Sequence, residues 1–186
     1  MSYEVEQKFP VDEVGPIQAR LAKMDVVIGE PFTEVDWYYA HPSRDFRQTD
    51  EALRLRRHDG ANRITYKGPK VDQVTKTRQE IELPLPEGTG VTRDWAGLLE
   101  RLGFRPVGEV QKTRRKAHLD WQGHAVEVSF DQLEEIGSFV ELETVADEEA
   151  VDQARQAIAD LAAHLGLKRS ERRSYLHLVL AARGER

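Results

Sequence analysis

Cysteine is missing from all 186 residues. Neither a disulfide framework nor a thiolate metal site is therefore open to this chain, which fits a reducing compartment. Long apolar runs are missing too: none approaches the roughly 20 residues that span a bilayer. The opening MSYEVEQKF carries charge where a signal peptide needs an apolar stretch. We therefore expect a soluble, cytoplasmic protein with no membrane partner. Surplus positive charge is the third absence. Lys and Arg number 27 against 33 Asp and Glu, a net charge of -6, which argues against nucleic acid as a partner, since phosphate-backbone affinity comes from surplus cations. Small anions stay open, because an acidic protein can still hold a local nest of arginines. No Gly-rich phosphate loop and no nucleophilic triad is visible. The length suits one domain, residues 1–186, with a core that needs no staples.

Short alternating segments and turn signals organise the chain. Strands are predicted at Tyr3–Phe9, Val35–Tyr39, Ala52–His58, Asn62–Lys67 and Lys76–Leu83, then at Val107–His118, His124–Gln132 and Ser138–Val145. Asp59-Gly60 is a strong hairpin turn, and His41–Asp50 and Lys70–Val74 read as connections. Helices are predicted at Asp12–Met24 with Asp12 as cap, at Thr92–Leu102 before Gly103, and at Asp147–Leu165 before Gly166. Ser170 is a cap for a last helix reaching Ala182, although Tyr175–Leu180 also reads as apolar strand. The repeated words KTRQ at Lys76 and KTRR at Lys112 hint at an internal duplication.

Residues two apart on a strand share a face. Glu4, Glu6 and Lys8 thus oppose Tyr3, Val5 and Phe9, and Arg54 and Arg56 oppose Leu53 and Leu55. Thr65 and Lys67 oppose Ile64 and Tyr66; Arg78, Glu80 and Glu82 oppose Ile81 and Leu83. Lys112 and Arg114 share a face, as do Glu127, Ser129 and Asp131, while Glu141 and Glu143 oppose Val140 and Leu142. Taken singly, each is an ordinary amphipathic strand with its charges in water. Jointly they say more. The charged positions favour Arg and Glu, suited to phosphate contacts and metal ligation, and the helices need an apolar sheet face to cover. If helices wrap the outside of a closed sheet, the charges line its interior. A lumen of that kind needs partners for its charges: a polyanion for the cations, and hard ions such as Mg²⁺ or Mn²⁺ for the carboxylates.

The ordered motifs match a known pattern. Glu4-Val5-Glu6-Gln7-Lys8 is similar to the ExExK signature of the CYTH, or triphosphate tunnel metalloenzyme, family. Asp36-Trp37-Tyr38-Tyr39, Asp50 through Arg56, Thr65 through Pro69, Arg78 through Glu82, Lys112-Thr113-Arg114, Asp131 through Glu143 and Arg173-Ser174-Tyr175 resemble later segments of that family, in order. The Lys-Gly-Pro segment and LGxFVELE-like wording most resemble class IV adenylyl cyclases. One departure is Ala40, where members commonly carry an acid. The resemblance implies an α+β fold, an eight-stranded antiparallel β-barrel with helices packed outside. It implies phosphate binding by Lys8, Arg54, Arg56, Lys67, Arg78, Lys112 and Arg114. It also implies Mg²⁺ or Mn²⁺ held by Glu4, Glu6, Asp131, Glu141 and Glu143, with Glu80 and Glu82 ligating metal or orienting arginines. No catalytic base stands out.

The activity so implied is conversion of ATP to 3′,5′-cyclic AMP and pyrophosphate. A triphosphatase acting on thiamine triphosphate, nucleoside triphosphate or tripolyphosphate uses the same tunnel, and a non-catalytic polyphosphate sensor is the third reading. A homodimer is compatible with all three. Among residues that do not join the pattern, His58, His118 and His124 show no ligand spacing, Trp37 reads as packing, and Tyr175 reads as a helix-to-barrel contact.

Overall fold

A computed structural model describes residues 2–70 and 75–185. Eight strands, β1 (Ser2–Val11), β2 (Phe32–Ala40), β3 (Ala52–His58), β4 (Ala61–Lys67), β5 (Arg78–Leu85), β6 (Arg105–Trp121), β7 (His124–Leu133) and β8 (Gly137–Asp147), close into one barrel. Its order is β1-β5-β4-β3-β2-β6-β7-β8, and every neighbouring pair is antiparallel. Among the described residues five α-helices accompany it: α1 (Gly15–Ala22), α2 (Phe46–Thr49), α3 (Val91–Arg101), α4 (Val151–His164) and α5 (Tyr175–Ala182). Among the described residues no helix is long and apolar enough to cross a membrane.

The core lies outside the barrel. Ile17 and Leu21 of α1 and Ala154, Ile158 and Leu161 of α4 bury against Val5, Val128 and Leu142. Val179 of α5 joins Val110 of β6, and Leu99 of α3 joins Leu53 and Leu55 of β3. The apolar faces of β1, β3, β6, β7 and β8 therefore pack against helices, whereas Ile81 and Leu83 of β5 stay about half exposed, and the charged faces are left for the bore. The burial confirms this reading: Lys8, Lys112, Arg114, Asp36 and Asp131 are each under a twentieth exposed.

Local chemistry explains where element boundaries depart from expectation. α1 begins at Gly15 because Pro16 occupies its first turn, and Val14 rather than Asp12 is its cap residue. The expected loop 41–50 contains α2, capped by Asp45, whose carboxylate accepts from the backbone of Arg47 and Gln48. β2 extends back to Phe32. β5 starts at Arg78, and Lys76 lies just before it, its N–H bonded to the carbonyl of Glu6. β8 runs on to Asp147 because its ladder with β1 continues to Ser2, so α4 begins at Val151 after a short 3-10 turn. The C-terminal segment is helix, and Ser174 rather than Ser170 caps it by accepting from His177 N. The Asp59-Gly60 hairpin holds, with positive φ at both residues. β6 bends where its register with β2 shifts between Tyr38 and Tyr39. Beyond Lys70, the connection expected at Lys70–Val74 lies outside the described residues.

Candidate active site

Opposite charges alternate around the bore. On the β2–β3–β6 wall, Asp36 accepts two bonds from Arg56, at 2.6 Å from Nε and 2.7 Å from the second guanidinium nitrogen, and lies 3.5 Å from Arg54. Glu34 sits 3.3 Å from Arg56 and 3.1 Å from Lys112. Arg114 donates to both oxygens of Asp131 and to Glu141. Across the bore, Lys67 Nζ lies 2.6 Å from both Glu4 and Glu80, and Lys76 donates to Glu6. Lys8 donates to the Arg173 carbonyl at 2.7 Å and rests 3.8 Å from the centre of the Tyr175 ring. Tyr175 in turn donates to Asp131 at 2.7 Å. It is indeed a helix-to-barrel contact, but one that reaches the charged wall.

The electrostatics divide the bore into two regions. Burial pushes Asp36 up, but the Arg56 and Arg54 guanidiniums overcome it and hold the carboxyl well below its usual range. Glu34 falls to about 2: Lys112, Arg114 and Arg56 outweigh its burial. Glu141 also lies well below the carboxylate range, its burial outweighed by Arg114 and Lys112. Lys8 is lowered, by burial and then by neighbouring Lys76. Glu143 goes the other way. Burial, then Glu4, Glu6 and Glu127, raise it well above its ordinary value, with Lys67 the counterweight.

Each residue expected on the charged face is found there, except that Glu82 sits at an exposed rim with Arg63. The cavity in the bore measures about 500 Å³. Among the described residues around it are Lys8, Arg54, Arg56, Lys67, Arg78, Lys112, Arg114, Glu4, Glu6, Glu141 and Glu143. Asp131 stands behind that surface, 1% exposed, holding Arg114. Among the described residues, twelve lysines and arginines surround the cavity against six aspartates and glutamates, in a protein whose net charge is -6. The excess is local and positive, as a polyanion requires.

Three participants went unassigned from sequence. Glu34 and Asp36 share the inner face of β2, and that alternation was their signal. Lys76 was signalled by the repeated Lys-Thr-Arg: Lys76 reaches Glu6 of β1, and Lys112 reaches Glu34 of β2. Trp37 packs outside, donating to Glu109 at 2.8 Å with Arg57 over its ring at 5.3 Å. Ala40 lines a groove beside the mouth.

A closed antiparallel barrel with a charged bore and helices on its outside is the architecture of a triphosphate tunnel. Residues 2–175 match the CYTH domain, and the chain belongs to the CYTH family. It is similar to the MJ0240 protein of Methanocaldococcus jannaschii, provisionally named an adenylate cyclase: 33% identity over 178 residues, covering 94% of this chain and 97% of that protein. It is similar also to adenylate cyclase CyaB of Aeromonas hydrophila, at 31% identity over 181 residues, covering 93% and 86%. Among solved structures, the PH1819 protein of Pyrococcus horikoshii superposes with a TM-score of 0.82 at 38% identity, covering 96% of this chain and 98% of that one.

The family is generally dependent on a divalent metal, and the donor chemistry here fits one. Glu6, Glu143 and Glu127 stand side by side across β1, β8 and β7. These are hard oxygen donors, and burial together with Glu4, Glu6 and Glu127 raises Glu143 against the counterweight of Lys67. Among the described residues no three such groups converge to ligand positions. Glu4 is paired with Lys67 and Glu6 with Lys76 instead.

Proposed function

We propose that this protein turns over a triphosphate with a divalent cation, and that its reaction is conversion of ATP to 3′,5′-cyclic AMP and pyrophosphate. The observation that carries the triphosphate reading is the local excess of cations around the cavity, twelve against six among the described residues. The cyclase reading is supported by the adenylate cyclase names of the Methanocaldococcus jannaschii and Aeromonas hydrophila relatives.

In this proposal Lys8, Arg54, Arg56, Lys67, Arg78, Lys112 and Arg114 bind phosphate oxygens. Glu34 and Asp36 aim the Arg54–Arg56 pair, so little reorganisation is needed when charge develops. Glu4, Glu6 and Glu143 are the donors we assign to Mg²⁺ or Mn²⁺. Asp131 and Glu141, bound to Arg114, serve first to orient it. A cation held there would lower the pKa of the ribose 3′-hydroxyl and neutralise charge at the α-phosphate. The 3′-oxygen then attacks the α-phosphorus, the bond to the β-phosphate oxygen breaks, and the hydroxyl proton passes to solvent. The basic wall stabilises the departing pyrophosphate by position and charge.

Incubation with ATP, thiamine triphosphate and tripolyphosphate, each with Mg²⁺ or Mn²⁺, followed by chromatographic product analysis, tests the reading. Cyclic AMP and pyrophosphate should appear in equal amounts from ATP. ADP with phosphate, or faster turnover of tripolyphosphate, makes the protein a triphosphatase. Stoichiometric binding without turnover makes it a sensor.

A further inference from the structure

Lys76 lines the bore, and the residues on either side of it are anchored outside the barrel. Its Nζ donates to Glu6 at 2.5 Å, and its backbone N–H bonds to the Glu6 carbonyl at 3.0 Å. Its neighbours Thr75 and Thr77 are 1% and 0% exposed, and their hydroxyl oxygens lie 2.6 Å apart. The two hydroxyls therefore sit together on the side of the chain opposite Lys76, in the layer between barrel and helices. That layer is apolar beneath α4, where Ala154, Ile158 and Leu161 pack on Val5 and Leu142. A hydroxyl buried there is costly unless it is bonded. Arg155 of α4 meets it: Nε donates to Thr77 Oγ1 at 3.4 Å, while a terminal nitrogen donates to Asp152 at 2.7 Å. A line of polar contacts thus runs inward from the outer helix to the two residues that flank one amine of the site.

We propose that Thr77 and Arg155 are positioning residues that fix how far Lys76 reaches into the bore. Glu6 is among the donors assigned above to the divalent cation. With Glu6 given to a cation, Lys76 is left without its anion, a costly state for a buried ammonium, and a phosphate oxygen is the partner the bore supplies. The amine makes that exchange only from a backbone that stays in place, and the tie from Arg155 through Thr77 to Thr75 holds it there. The inference rests on the triphosphate reading and adds to it one more phosphate contact and the residues behind it.

Thr77→Val removes the hydroxyl and keeps the shape, Arg155→Met removes the guanidinium and keeps the stem, and Thr77→Ser restores a hydroxyl. Inorganic tripolyphosphate is titrated calorimetrically with Mg²⁺ into each variant, in the wild-type and in the Lys76→Met background, with circular dichroism to confirm folding. Thr77→Val and Arg155→Met should each weaken tripolyphosphate by about three- to tenfold, the worth of one hydrogen bond. Thr77→Ser should bind nearly as wild type. In the Lys76→Met background both losses should vanish, because the two residues act through that amine. The variants cut the tie from opposite ends, so either one carries the test if the other does not fold. Losses of equal size in both backgrounds, or no loss in the wild-type background, overturn the positioning role while the triphosphate reading stands. If wild-type protein binds no tripolyphosphate, the triphosphate reading fails and this inference falls with it.

Discussion

Replacing Asp131 by Asn separates two roles that one carboxylate can play. Asp131 is 1% exposed, its oxygens both accept from Arg114, and one also accepts from Tyr175 at 2.7 Å. Lys112 lies 3.8 Å away. Asn keeps the shape but removes the charge and puts an NH₂ donor against other donors. Breaking a buried pair by neutralising one partner costs about 3–5 kcal/mol. At roughly 2–4 °C per kcal/mol for a chain of this length, Tm should fall by about 10 °C. Tripolyphosphate should narrow that deficit, because it offers Arg114 and Lys112 another anion and no longer competes with Asp131. The assay is thermal unfolding of wild type and variant, with and without tripolyphosphate, beside calorimetric titration of Mn²⁺. A variant of unchanged Tm that has lost Mn²⁺ binding would refute the reasoning and make Asp131 a cation ligand.

Glu143→Gln should stabilise the ligand-free protein at neutral pH. Its folded-state pKa is raised by burial, Glu4, Glu6 and Glu127, so the wild-type penalty appears as pH rises through that value and vanishes in acid. Tm of the two proteins should therefore converge at low pH and separate at neutral pH, and a gap that widens in acid would contradict the assignment. Glu6→Gln should abolish nearly all activity while retaining the circular dichroism of the fold, and excess chelator should do the same to wild type. Full activity in either case rules out the cation site.

Much of this was legible because the strand period is two and the charges obey it. Glu4-Glu6-Lys8, Arg54-Arg56 and Lys112-Arg114 read as faces from spacing alone, and the need of α1, α3 and α4 for an apolar surface turned those faces inward. Partner choice was not legible. Nothing local says that Asp36 takes Arg56 or that Arg114 takes Asp131, since those pairings depend on the register of β2 with β3 and of β6 with β7. The extent of β8 was hidden for the same reason: Asp147 is helix-compatible by composition, but its ladder partner Ser2 keeps it extended. Tyr175 carried no sign that a helix cap at Ser174 would deliver its hydroxyl to Asp131.

The central claim is that the charged faces look inward onto a bound phosphate chain, and Arg56 and Arg57 test it as adjacent residues on opposite faces. Arg56 is bonded to Asp36 inside the barrel, and Arg57 lies over Trp37 outside. With the triphosphate that the product analysis identifies, kcat/KM is to be measured for Arg56→Ala, Arg56→Lys and Arg57→Ala at one metal concentration. Loss of a charge-assisted phosphate contact in a partly dry site should cost about 2–4 kcal/mol, or roughly 30- to 1,000-fold. Lysine should recover only part of it, lacking the planar fork. Arg57→Ala should keep most activity. Equal and small effects at both positions would contradict the account.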